Sequence, residues 1–227
     1  MAKTKNSIIV NGEAYTLRTS KVTFGTSPVH VSDGMSGKME GIPSVSTSCT
    51  VNPVCIARMQ NGESICSKCF AFTTMKMRKE LREALESNYR LLNSGILPDE
   101  LLPNFGNVRI VRIESFGDLG SVTQAINYVR MIRKNPDVLF AWWTKNKAFA
   151  EQAFKTEGKP ENLVFVESSF LMNQVEENPS EYADRVFTVY DKKHASGVEI
   201  NCGSRKCMEC MNCYRKTGCR QVSELLK

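Results

Sequence analysis

Eight of the nine cysteines in this chain fall in two tight clusters, and that constrains its folding more than any other feature. Cys49, Cys55, Cys66 and Cys69 form the first. Cys202, Cys207, Cys210 and Cys213 form the second, with Cys219 just beyond. The run Cys207-Met-Glu-Cys210-Met-Asn-Cys213 is a CxxCxxC motif. Each two-residue gap makes a tight loop, so three thiolates turn inward on one ion or cluster. Free cysteine also serves as a small buried hydrophobe. Around the second cluster, however, stand Gly203, Ser204, Arg205, Lys206, Glu209, Asn212, Arg215 and Lys216, a stretch too polar to form a core without a staple.

The compartment matters to this reading. The basic start Met1-Ala2-Lys3-Thr4-Lys5-Asn6 is followed only by Ile8-Ile9-Val10 before polar Asn11-Gly12-Glu13, which is not the pattern of a signal peptide. No apolar run approaches the roughly 18 residues of a membrane span. The expected location is therefore the cytoplasm, where cysteines are kept reduced and bind metal more readily than they pair as disulfides. The net charge of +6, from 30 Lys+Arg against 24 Asp+Glu, usually points to nucleic acid. A four-thiolate centre adds about −2, so much of the basic excess balances the metal sites. Nucleic acid remains a possible partner without being the favoured one; a small molecule or a host protein is the other expectation.

Along 227 residues a single domain is expected. Residues 1–40 read as a β-rich lead-in, with Val22, Phe24, Val29 and Val31 loosely alternating. Residues 41–92 carry the first cysteine loop and a helix over 74–92, whose buried face is Met77, Leu81, Ala84, Leu85, Asn88 and Leu92. Residues 107–192 form a β/α core: strand 108–115, helix 121–134 stopped by Asn135-Pro136, strand 138–144, helix 147–154, and strands 163–167 and 185–190. Residues 197–220 are a cysteine-rich tail. The fold class is α/β: an incomplete (β/α) barrel or a parallel sheet, with the N-terminal cysteine loop and C-terminal tail bound to metal.

Spacing alone leaves iron–sulfur and zinc both open, since Cys66-x2-Cys69 and Cys207-x2-Cys210 also make a four-thiolate zinc site. His30 and His194 match no finger pattern and read as loop or surface residues. In parallel β/α folds, functional groups gather at the carboxyl ends of strands. Those ends are Glu114, Ser115 and Asp118; Thr144 and Lys145; Glu167 and Ser168; Asp191 and Lys192. Asp118, Glu114 and Lys145 are the catalytic candidates. Gly117 and Gly120 beside Asp118 are expected to let backbone approach a ligand. Both cysteine clusters are expected near this same rim. The nucleic-acid alternative would use Lys76, Arg78, Lys79, Arg82, Arg90, Arg205, Lys206, Arg215, Lys216 and Arg220, with Tyr89 and Tyr214 stacking on bases.

Over residues 34–214 the chain resembles the phage gene product 88 family. The parts stand in order: Gly41-Ile42-Pro43-Ser44 before Cys49; Cys66-Ser-Lys-Cys69-Phe70-Ala71; a basic helix with Asn88; Ser115-Phe-Gly117-Asp118; Trp143-Thr144-Lys145; and Cys207-x2-Cys210-x2-Cys213-Tyr214. The resemblance implies an architecture like the incomplete barrels of radical S-adenosylmethionine enzymes. It also implies 4Fe-4S binding; the candidate cluster-binding residues are Cys49, Cys66, Cys69, Cys207, Cys210 and Cys213, with Cys55 and Cys202 as further candidate metal ligands, and their division over one or two centres is left open. The CxxxCxxC loop of radical enzymes has no counterpart, because ten residues separate Cys55 from Cys66. The expectation is an iron–sulfur phage-type protein with a barrel-like core, open to redox or cluster-dependent catalysis and without radical chemistry. The alternative is a zinc-stapled, non-catalytic protein that binds nucleic acid or a host protein.

Overall fold

The computed structural model describes residues 6–203 and 205–226. Its centre is a seven-stranded sheet in the order β3 (Val31–Ser32), β4 (Ser44–Val45), β5 (Ile110–Ile113), β6 (Leu139–Thr144), β7 (Leu163–Ser168), β8 (Arg185–Tyr190) and β9 (Gln221–Leu225). β3 is antiparallel to β4, and every later pair is parallel. Each strand is added beside the one before it, so the strand order never reverses. Parallel crossovers are nearly always right-handed, and an unreversed order therefore puts their helices on one face. Of the two expected architectures the structure has the parallel sheet. It runs open from β3 to β9, and these edge strands are not paired with each other, so a barrel is not seen among the described residues.

The pleat sorts the strand residues into two layers, because successive side chains alternate faces. Val111, Ile113, Phe140, Trp142, Leu163 and Phe165 face α4 (Val122–Lys134) and α5 (Lys147–Glu157) in the main core. Trp142 meets Tyr128, Phe154 and Phe165 edge-on. The intervening residues Ile110, Ala141, Trp143, Val164 and Val166 form a second apolar layer with Ile42 and Tyr214. Both faces are thus covered, which is why these strands read as continuous apolar runs. α4 begins where the Ser121 hydroxyl accepts from the Gln124 amide and ends at Asn135, before a proline. α5 ends at Gly158 with φ of 76°.

Several expectations change. The helix expected over 74–92 is two helices, α2 (Phe70–Met77) and α3 (Lys79–Asn93), broken at Arg78, whose ψ of 86° is not helical. The break leaves Met77, expected in the buried face, 74% exposed, while Ala84, Leu85, Asn88, Leu91 and Leu92 are buried. The cysteine loop is partly helical, with α1 (Pro53–Met59) and a 3-10 turn at Ile65–Lys68. The lead-in is β-rich, but chiefly through a hairpin of β1 (Ser7–Val10) and β2 (Glu13–Thr16). It turns at Asn11 and Gly12, both with positive φ. Of the alternating residues, only Val31 lies in a strand, and Phe24 is exposed.

Candidate metal centre

The loop after β4 is a run of small polar residues, Ser46-Thr47-Ser48-Cys49-Thr50, and Ser46 to Cys49 are almost wholly buried. Buried polar groups need partners, and here the partners pin the loop from every side. The Asn88 amide of α3 donates to Ser46 O (2.8 Å) and His30 O (2.9 Å). The Thr50 hydroxyl donates to Glu86 (2.8 Å). Ser46 Oγ accepts from the Ser115 amide (3.0 Å). Asn52 caps α1 and donates its side-chain amide to Asp118 O (2.9 Å).

Glu114 is the anchor of this loop. Its Oε1 accepts from Thr47 Oγ1 (2.8 Å), Gln124 Nε2 (2.8 Å) and Tyr128 OH (2.6 Å), and its Oε2 accepts from the Thr47 amide (3.1 Å). It sits at φ of 59°, a left-handed conformation unusual for a non-glycine residue. Burial pushes its carboxyl up to about 8, against the four donors that favour the ion. Glu114 thus faces inward and serves to position Thr47, two residues before Cys49.

Asp118 is equally occupied. It accepts from Thr144 Oγ1 (2.5 Å), the Leu119 amide (2.8 Å), the Lys145 amide (3.1 Å) and the Arg58 guanidinium (3.2 Å). Arg58 also reaches Asn146 Oδ1 and Lys145 O. The glycines beside Asp118 make room for the chain itself and not, as expected, for a ligand. A Cβ on Gly117, at φ of 72°, would stand 2.4 Å from Thr47 O, and one on Gly120 would stand 2.6 Å from the Tyr89 ring.

Three of the N-terminal cysteines pack together beside this rim, and Cys66 is close enough to Cys55 to raise its thiol. Cys49 and Cys55 are buried with Ala71, Met75 and Leu85, and the partly exposed Cys69 packs against them. Cys49 and Cys69 share a hydrogen bond. It favours the Cys69 thiolate, as do the Phe72 and Ala71 amides at the start of α2 and the nearby Lys145 ammonium. The Cys49 thiol is raised in turn, first by the same bond and then by burial. Burial raises Cys55, and Asp118, Glu114, Cys66 and Cys69 are close enough to add to it. The three catalytic candidates and the first quartet therefore share one neighbourhood.

The second quartet lies elsewhere, against the face of the sheet and not at its carboxyl rim. α6 (Cys207–Cys210) is a single turn, followed by Met211 at φ of 56° and a 3-10 turn over Asn212–Tyr214. Cys202 arrives beside β9, bridged to Glu224. Together Cys202, Cys207, Cys210 and Cys213 line a pocket of about 30 Å³ with Lys38 and Tyr214. Lys38 Nζ stands 2.9 Å from Cys202 Sγ and 2.8 Å from Glu224. Burial pushes Cys213 up to about 12 and raises Cys207, while Arg112 opposes both. Cys219 stays outside the pocket, its thiol donating to Gln221 O (3.1 Å). All nine cysteines are free thiols. Among the described residues, no three His, Cys, Asp or Glu side chains form a group set to hold a single metal ion.

Arg58 and Lys38 went unnoticed in the sequence, where nothing marks them. Arg112 had a signal, a charge in the middle of an apolar strand. Of the residues suggested for base stacking, Tyr214 is buried against Trp143. Several of the candidate cations already have carboxylate partners: Lys79 with Glu83, Arg82 with Glu86, Lys206 with Glu40 and Lys216 with Asp184. Glu167 and Asp191 are likewise paired, with Lys147 and His194. No helix among the described residues is long and apolar enough to cross a membrane.

Among curated proteins and among solved structures, nothing matches this chain significantly. The family model described as gene product 88 matches residues 18–224, which takes in both quartets and all of the seven-stranded sheet except Leu225. The chain belongs to the gene product 88 family, a family of phage gene products.

Proposed function

We propose that this protein binds iron–sulfur clusters through its two cysteine quartets. The quartet at the carboxyl rim is the working site, and the C-terminal quartet is the staple that closes the second face of the sheet. The observation that carries the reading is the ring of four thiols around a pocket of about 30 Å³, with Lys38 beside it. A pocket of that size suits thiolates drawn to about 2.3 Å around zinc as well as ligands of a cluster, and the cation beside the thiols suits the net negative charge of either centre. Iron is preferred here on what the gene product 88 resemblance implies.

A bound cluster supplies one-electron transfer, or Lewis acidity if an iron is left open. The protein's own groups hold and orient it. Cys49, Cys55, Cys66 and Cys69 would be the ligands at the rim, and Cys202, Cys207, Cys210 and Cys213 those on the face. Glu114 and Asp118 fix the loop that carries Cys49, and Lys145 offsets thiolate charge at Cys69. Reductive cleavage of S-adenosylmethionine is outside this reading, given the ten residues between Cys55 and Cys66.

Protein purified without oxygen is expected to be brown, with iron and acid-labile sulfide and a broad absorbance near about 400 nm. After dithionite reduction it should release no 5′-deoxyadenosine. Colourless protein holding stoichiometric zinc would overturn the cluster reading, and 5′-deoxyadenosine would overturn the exclusion of radical chemistry.

A further inference from the structure

We propose that Arg112 is the internal counter-charge of the C-terminal quartet, a positioning residue that sets both the occupancy and the reduction potential of a cluster held there. The proposal rests on the iron–sulfur reading above.

Arg112 lies in the middle of β5, between Val111 and Ile113, which face the helices. The pleat therefore turns it to the opposite face, the one covered by the C-terminal segment. There its guanidinium carbon stands 3.4 Å from the centroid of the Trp143 ring, and that ring packs against Tyr214. Its Nε is buried with no hydrogen-bond partner among the described residues. No carboxylate forms a salt bridge with it within the described residues, although ten other lysines and arginines there do so.

A guanidinium held in an apolar layer without a carboxylate is costly. Cys207 and Cys213 pack into the same layer as Trp143 and Tyr214, so the quartet is the group of thiols on the face that Arg112 shares. Lys38 plays the matching part at Cys202, but Lys38 already has Glu224. Arg112 therefore has no evident charge to neutralise except that of the quartet. An aromatic face holds it in place, and an arginine stays protonated even when desolvated. A fixed positive charge beside a cluster favours the reduced state, which carries one more negative charge, over the oxidised state.

The test uses full-length protein purified without oxygen, in a Cys66→Ser/Cys69→Ser background, so that only the C-terminal quartet contributes to the signal. Arg112→Met keeps the packing on Trp143 and removes the charge; Arg112→Lys keeps the charge. Iron and sulfide are measured per chain, and the midpoint potential is followed by electron paramagnetic resonance. Arg112→Met is expected to retain less cluster. What it retains should be harder to reduce by about tenfold in the reduced-to-oxidised ratio, equal to about 59 mV for a one-electron couple. Arg112→Lys should recover most of both. If Arg112→Met keeps the parent's potential, or if Arg112→Lys shifts as far as Arg112→Met, the assignment is wrong while the cluster reading stands. If the parent background holds no iron and sulfide while wild-type protein does, the C-terminal quartet is not a cluster site and the assignment falls. If wild-type protein lacks them too, both proposals fall. Far-ultraviolet circular dichroism of each variant separates lost cluster from lost fold.

Discussion

Glu114→Ala is expected to destabilise the protein by roughly 4 kcal/mol, among the largest effects of a single substitution away from the cysteines. The change removes the shared acceptor of four buried donors: the Thr47 amide and the Tyr128 hydroxyl are left unpaired, while the Thr47 hydroxyl keeps Asp118 O and the Gln124 amide keeps the Tyr128 oxygen. Each buried donor left unpaired costs about 1–3 kcal/mol. The loop carrying Cys49 also loses its tie to the sheet, so metal content at the first quartet should fall with stability. Glu114→Gln keeps an oxygen acceptor and should lose less. Urea denaturation of the three proteins reads the effect, and a loss below about 1 kcal/mol for Glu114→Ala would show that the network is not structural. The same residue predicts a pH trend. Burial holds its carboxyl at about 8 in the folded chain, against about 4.3 when unfolded. Between those values the folded state holds the additional proton, so this contribution is complete below the lower value and is lost as pH rises through the upper one. Stability should therefore decline between about pH 4 and 8 and level off above that, and Glu114→Gln should flatten that decline.

Cys213→Ser should release the C-terminal segment from the sheet. In small metal-stapled domains the binding free energy of the metal is folding free energy, on the order of 10 kcal/mol, and a serine hydroxyl is a poor substitute for thiolate. Cys213 packs with Cys207, Met211 and Tyr214 over Ile110, Ala141, Trp143, Val164 and Val166. Without its staple this polar segment has little apolar surface of its own to hold it there. The expected result is loss of metal, a red shift in tryptophan fluorescence as Trp143 meets water, and new protease cleavage within residues 195–220. Trp142, on the helix face, should stay buried. Cys219→Ser, outside the pocket, should change none of these. Retained iron together with retained protease resistance in Cys213→Ser would exclude the staple role.

Much of the sheet was legible beforehand, for physical reasons that belong to particular segments. Residues 140–144 and Leu163–Ser168 are buried on both faces, so their apolar runs leave little doubt. The helix at Val122–Lys134 carries its own start in Ser121 and its own stop in Asn135-Pro136. β9 was missed, because Gln221-Val-Ser-Glu-Leu225 has little strand signal and becomes one by pairing with β8. The break at Arg78 was missed as well. No local pattern marks it: α2 buries Ala71 and Met75 beside Cys49, while α3 buries Leu85 there and carries on to Leu91 and Leu92 in the main core.

The sequence by itself determined the alternation of strands and helices, the two cysteine quartets as chemical units and the polar groups at the strand ends, since all of these are written in local spacing. Only the tertiary structure decided that the quartets are separate. The first shares the rim with Glu114, Asp118 and Lys145, and the second lies under the sheet against Trp143. It also decided that Asp118 is held by Arg58 and that Arg112 faces thiols instead of a carboxylate. The physical reason is range. A period of two places Arg112 on one face of its strand, but what covers that face is chosen by a segment far along the chain, through burial and charge that no local pattern encodes.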